Sequence, residues 1–99
     1  MARLQNKVTD GDVTSMSKLL ARMVTEVCRC PDDVELTVEQ SSHRVILGFS
    51  SAECDEGRVI GARGKTIRAI REVVESAARA RNIQASVVYF NDRSGPSTT

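Results

Sequence analysis

Apolar side chains recur at Met16, Leu19, Leu20, Met23, Val24 and Val27, the i, i+3, i+4, i+7 spacing that gathers one face of a helix. The stripe predicts a helix from Asp12, with Asp12, Thr14 or Ser15 as its cap. Pro31 ends it, because proline has no N–H to donate and disfavours helix in the residue before it. The period then shortens to two. Val34, Leu36 and Val38 alternate with Glu35, Thr37 and Glu39, a half-buried strand with an acidic outer side. After a turn at 40–42, residues 43–50 read as a second strand, with Val45, Leu47 and Phe49 on one face and Arg44, Ile46 and Gly48 on the other. A connector leads to a short helical turn over residues 56–60. Ile67, Ile70, Val73, Val74, Ala77 and Ala78 then mark the buried side of a long helix, and Arg68, Arg71, Glu72, Glu75 and Arg79 its wet side. Arg81-Asn82 is the expected stop. Residues 84–90 form the last strand, Ala85, Val87 and Tyr89 facing away from Ser86, Val88 and Phe90.

This order predicts an α+β fold, three helices on one face of a three-stranded sheet, and 99 residues suffice for one such domain. The expected division is a flexible N-terminal arm at 1–11, a domain at 12–90 and a polar, disordered tail at 91–99.

The formal net charge of +1 hides an uneven distribution. Between residues 32 and 56 stand Asp32, Asp33, Glu35, Glu39, Glu53, Asp55 and Glu56, with Arg44 as the one arginine or lysine. From Gly57 to Arg71 there is no acid, while Arg58, Arg63, Lys65, Arg68 and Arg71 follow one another. A local basic patch of this kind is the electrostatic footprint of a nucleic-acid site on one face.

Inside that patch lies Gly61-Ala62-Arg63-Gly64, whose glycines allow positive φ and the close approach of another backbone. The helix that follows points its N-terminal N–H groups and positive dipole end at the same place. Gly64-Lys65-Thr66 resembles the end of a P-loop, but the first glycine of that motif would have to stand where Val59 does. Nor does the glycine spacing fit the dinucleotide-binding fingerprint. Val59-Ile60-Gly61-Ala62-Arg63-Gly64, followed by Ile67 and basic residues, instead resembles the KH domain, where a GxxG loop between two helices clamps single-stranded RNA. From about Met16 to Phe90 the element order is that of a type II KH domain, helix-strand-strand-helix-helix-strand, and the size is similar to that of the bacterial single-domain KH proteins of the KhpA type.

The resemblance implies that the last two strands lie side by side and parallel, and that the RNA site comprises Arg58, Val59, Ile60, Gly61, Ala62, Arg63, Gly64, Lys65, Ile67 and Arg68. Arg63 and Lys65 are the strongest candidates for phosphate contacts; Val59, Ile60 and Ile67 serve first to pack the helix hairpin and then as the apolar floor of a groove. With Tyr89 and Phe90 near the chain end and one further aromatic, Phe49, base stacking is a minor term, so the expected binding is weak, salt-sensitive and nearly indifferent to sequence. The family implies an RNA chaperone or post-transcriptional regulator. The competing reading is a KH fold acting mainly as a protein-interaction module, through a homodimer or a second KH-containing protein.

Catalysis is not expected: Cys54, Asp55, Glu56 and His43 show no nucleophile-base spacing. Cys28, Cys30, Cys54 and His43 show no zinc-motif spacing, and the reading is reduced thiols with no metal and no cofactor. No apolar run reaches the roughly 18 residues of a membrane span, so the expected location is the cytoplasm.

Overall fold

Residues 8–91 are described by the computed structural model. They form α1 (Asp10–Val27), β1 (Glu35–Gln40), β2 (Arg44–Ser50), α2 (Glu56–Ile60), α3 (Lys65–Ala80) and β3 (Gln84–Tyr89), with single 3₁₀ turns at Pro31–Asp33, Glu53–Asp55 and Ala62–Gly64. Residues 1–7 and 92–99, which make up most of the expected arm and tail, lie outside the described residues. The element order and the α+β class are those expected from the sequence.

α1 starts two residues before the expected Asp12, and its cap is none of the three candidates. Thr9 accepts from the Asp12 N–H, while the Asp12 carboxylate accepts from the Thr9 N–H, so the two residues satisfy orphan donors reciprocally. An Arg81 guanidinium 2.7 Å from Asp12 ties this helix start to the end of α3 and holds the Asp12 carboxyl below its ordinary range. Just before the cap, Val8 is buried, and its N–H donates to the Ser42 carbonyl at 2.8 Å. Thr9→Ala is expected to cost about 1 kcal/mol, the usual loss for an N-cap, measured by urea denaturation.

The sheet order is β1-β2-β3, with β1 antiparallel to β2 and β3 parallel to it. That parallel pair, joined by the α2-α3 crossover, is the arrangement the resemblance implies. β2 is the central strand, and Val45, Leu47 and Phe49 are fully buried against Met16, Leu20 and Val24 of α1 and Ile67, Ile70, Val74 and Ala78 of α3. Phe49 stacks on Tyr89 at 4.7 Å, and the Tyr89 hydroxyl reaches the Ser51 hydroxyl at 2.6 Å. Asn91 clasps the same corner, accepting from the Ser51 N–H and donating to the Ser51 carbonyl and to Glu56.

Two stripe residues are not core. Val38 lies on the helix-facing side of β1 but is 39% exposed, because β1 is an edge strand that the helices cover only near Leu36; Val73 is 43% exposed, at the border of the α3 stripe. Conversely, Ile83, absent from the expected core, is 2% exposed. It follows Asn82, whose φ of 60° turns the chain out of α3, and the Asn82 and Ile83 N–H groups close the helix onto Arg79 and Ala78. This is a Schellman ending sealed by a buried side chain, and it confirms Arg81-Asn82 as the stop.

Arg71 and Glu75 are not on the wet side as expected. β3 has an open edge, and α3 lies over it. The Arg71 Nε donates to the Val87 carbonyl at 3.2 Å and the Glu75 carboxylate accepts the Val87 N–H at 3.1 Å. An edge strand must find partners for its outward backbone groups, and these two side chains supply them from within the chain.

Candidate nucleic-acid interface

The motif region is built on buried apolar anchors. Val59 is fully buried in α2 and Ile67 is 3% exposed in α3, so both hold the hairpin to the core; of the three candidate groove residues, Ile60 alone retains substantial accessible surface. Between these anchors the chain must reverse within four residues. Gly61 takes φ 75° and ψ 173°, Arg63 φ 57° and ψ 28°, and Gly64 φ 75° and ψ 17°. The Gly61 N–H closes α2 on the Gly57 carbonyl at 2.8 Å, and the Gly64 N–H returns to the Gly61 carbonyl at 3.1 Å. Three residues in four thus have positive φ, which explains why two are glycine. Gly61 has a second reason: a Cβ there would lie 2.3 Å from the Thr66 Oγ1 and 2.9 Å from its backbone nitrogen.

This backbone sets the charge geometry. Ala62, Arg63 and Lys65 are exposed at the tip, and α3 begins with no side-chain cap and no acid in its first turn. Its positive dipole end therefore faces outward beside two cationic side chains. Arg68 folds back, donating from Nη1 to the Arg63 carbonyl at 2.7 Å, which braces the loop while keeping its charge there. Arg58 turns the other way, toward Asp55 at 3.6 Å and the Cys54 carbonyl, at the opposite end of α2. The structure thus gathers Ala62, Arg63, Gly64, Lys65 and Arg68 on one surface, puts Gly61 beneath it, and draws Arg58 away.

Of the aromatics, Phe49 and Tyr89 are sealed in the core, while Phe90 is 59% exposed and lies across Gly48, where a Cβ would meet its ring at 2.5 Å. Gly48 therefore gives Phe90 its seat on the open sheet face, a role the alternation pattern does not reveal.

A second group of chemically active side chains gathers at the N-terminal end of α2. Asp55 is fully buried, and its carboxylate accepts the Arg29 and Cys30 N–H groups, each at 3.0 Å. Those bonds, the Arg29 one first, hold its carboxyl below the usual range against the opposing effect of burial. The Asp55 pKa is lower folded than unfolded, so its stabilisation is present above the unfolded value and fades as pH falls through the folded one. Asp55→Asn is expected to lower Tm at pH 7 and to differ less from wild type near pH 3, read by circular dichroism melts. Two of the three cysteines meet at this carboxylate. The Cys30 and Cys54 sulfurs and an Asp55 oxygen lie within 4.8 Å of one another. Burial raises the Cys28 pKa, and hydrogen bonding to Cys54 raises that of Cys30. Sequence spacing does not show this convergence, because the connector after α1 and the turn before α2 meet only through packing.

Two helices meeting at a positive-φ GxxG loop, over a sheet in which β2 and β3 run parallel, define a type II KH domain. A family model described as the KhpA/KhpB KH domain matches residues 17–88, and the chain belongs to that family. Curated relatives are similar over most of its length: "RNA-binding protein KhpA" of Chlamydia pneumoniae is 31% identical over 78 residues, covering 79% of this chain and all of that one. The protein of the same name from Bacillus subtilis is 34% identical over 62 residues, covering 63% of this chain and 76% of that one. Among solved structures, an Era variant from Aquifex aeolicus bound to GDP and aluminium fluoride superposes with a TM-score of 0.53 at 8% identity. The match covers 76% of this chain but only 29% of the Era chain. A second Era structure, in complex with MgGDPNP and a segment of 16S ribosomal RNA, gives 0.52 over 75% of this chain and 29% of that one. At that identity the likeness concerns the fold alone. No helix among the described residues is long and apolar enough to cross a membrane.

Proposed function

We propose that this protein binds single-stranded RNA through its backbone, with phosphates over Gly61–Gly64 and the uncapped start of α3. The observation that carries the reading is the exposed positive-φ loop, with Arg63 and Lys65 at its tip and no acid in the surrounding fifteen residues, 57–71. Its relatives' name, RNA-binding protein KhpA, supports the same ligand. Arg63 and Lys65 neutralise phosphate, the α3 dipole adds a fixed positive end, and Arg68 contributes charge while bracing the loop. Bases turn toward Ile60, in a groove taking about four nucleotides as in other KH domains.

Arg58 and the buried Val59 and Ile67 act by position rather than contact. With Phe49 and Tyr89 sealed in the core, discrimination between bases is small. The protein is then a non-catalytic RNA chaperone or post-transcriptional regulator in the cytoplasm. The family description, which joins KhpA with KhpB, favours a second KH-containing protein as an additional partner, and homodimerisation is a further way for the same fold to pair.

Fluorescence anisotropy with a mixed-sequence single strand and the matching duplex tests the reading. The single strand is expected to bind better, with log K falling linearly in log salt at a slope of about −0.7 for each phosphate neutralised. Binding that ignores salt, or none at low salt, contradicts it.

A further inference from the structure

The convergence of Cys30 and Cys54 on one buried carboxylate has no part in holding RNA. We propose that Cys30, Cys54 and Asp55 form a binding site for a thiophilic divalent cation of the zinc class, with water in the fourth position. The inference is independent of the RNA reading.

The donor set fits this cation. Zinc prefers thiolate sulfur with imidazole or carboxylate in tetrahedral array, and where the protein supplies three ligands water takes the fourth position. Metal-sulfur bonds of about 2.3 Å place tetrahedral sulfurs about 3.8 Å apart. The Cys30, Cys54 and Asp55 donor atoms already lie within 4.8 Å of one another, so contraction by about 1 Å closes three positions.

Asp55 is held ready for this role. Its two oxygens take the N–H groups of Arg29 and Cys30, which fixes the carboxylate plane, and Oδ2 accepts from Cys30 alone among the bonds described, keeping a lone pair for a metal. Arg58, at 3.6 Å from Oδ1, partly offsets the negative charge that two thiolates and a carboxylate would leave around a dication. Entry is open, since Cys54 is exposed and Cys30 partly so.

Occupation would have a structural consequence. Each ligating thiol loses its proton to solvent and forms one bond to the metal. The cation then staples the connector after α1 to the turn that starts α2, the helix whose other end becomes the GxxG loop. A ligand that binds only the folded chain raises its stability by mass action.

The full chain, kept reduced with a phosphine, should be titrated with cobalt(II) and then with zinc against a chromophoric chelator. The expected result is one equivalent bound, a sulfur-to-cobalt charge-transfer band, the visible bands of a tetrahedral ion, and a higher Tm with zinc. Cys54→Ser, at an exposed position, should remain folded and weaken binding by at least about tenfold, as loss of even a supporting group does. Three results would each overturn the proposal: no stoichiometric uptake by wild type, a cobalt spectrum without the charge-transfer band, or uptake unchanged in a folded Cys30→Ser, Cys54→Ser double variant.

Discussion

Ala62→Asp and Arg63→Asp introduced together are expected to reduce binding of single-stranded RNA by at least about tenfold, while the variant keeps its circular dichroism spectrum. The charge at the loop tip changes by three units, one from Ala62 and two from Arg63, directly where phosphates would lie. Neither side chain holds the fold, since both are exposed. Arg63 sits at φ 57°, a left-handed conformation that aspartate tolerates better than most residues, and its backbone carbonyl still accepts Arg68. The substitution therefore separates binding from folding. Anisotropy at two salt concentrations checks it, and the residual affinity should depend less on salt than that of wild type.

Gly61→Ala and Gly57→Ala should have opposite signs, although the same methyl group is added four residues apart. At Gly61 the backbone occupies φ 75° and ψ 173°, a region open essentially to glycine, and the new Cβ would come within 2.9 Å of the Thr66 backbone nitrogen as well as striking its side chain. Backbone strain of about 1–3 kcal/mol and overpacking of similar size act together, so a loss of about 2–5 kcal/mol is expected. For a domain of this size that is a fall in Tm on the order of 10–30 °C. Gly57 lies in α2, and a methyl group added there would meet nothing within 4 Å, so alanine should gain up to about 1 kcal/mol. Urea denaturation of the two variants decides between a conformational and a merely compositional need for glycine.

Local pattern encodes some parts of the molecule and not others. β2 and α3 are legible because their buried faces follow the strand and helix periods closely, whereas the α2 bounds come from the resemblance around the motif rather than from periodicity. The cap of α1 escapes the apolar pattern because Thr9 sits in a polar stretch outside the stripe, although the Thr9-x-x-Asp12 spacing is a readable signal. Val38 and Val73 lie on or beside the expected faces, yet periodicity gives direction and not the extent of the covering layer.

Arg71 and Glu75 depart from expectation for a related reason. A helical wheel reports polarity, whereas their partner is the open edge of a strand twelve or more residues away in the chain. Within the candidate site, the loop and its tip charges are readable directly. That Arg58 turns back to Asp55, that Val59 and Ile67 are sealed, and that two cysteines meet one carboxylate depend on how distant segments pack.

The most direct test of the central claim is an NMR titration of the isotope-labelled protein with a short mixed-sequence RNA strand. The largest amide shifts are expected on residues 61–66, with smaller ones near Ile60 and along α3, and all of them should collapse when salt is raised. Shifts confined to the open sheet face around Ile46, Val88 and Phe90, with the loop amides unmoved, would contradict it.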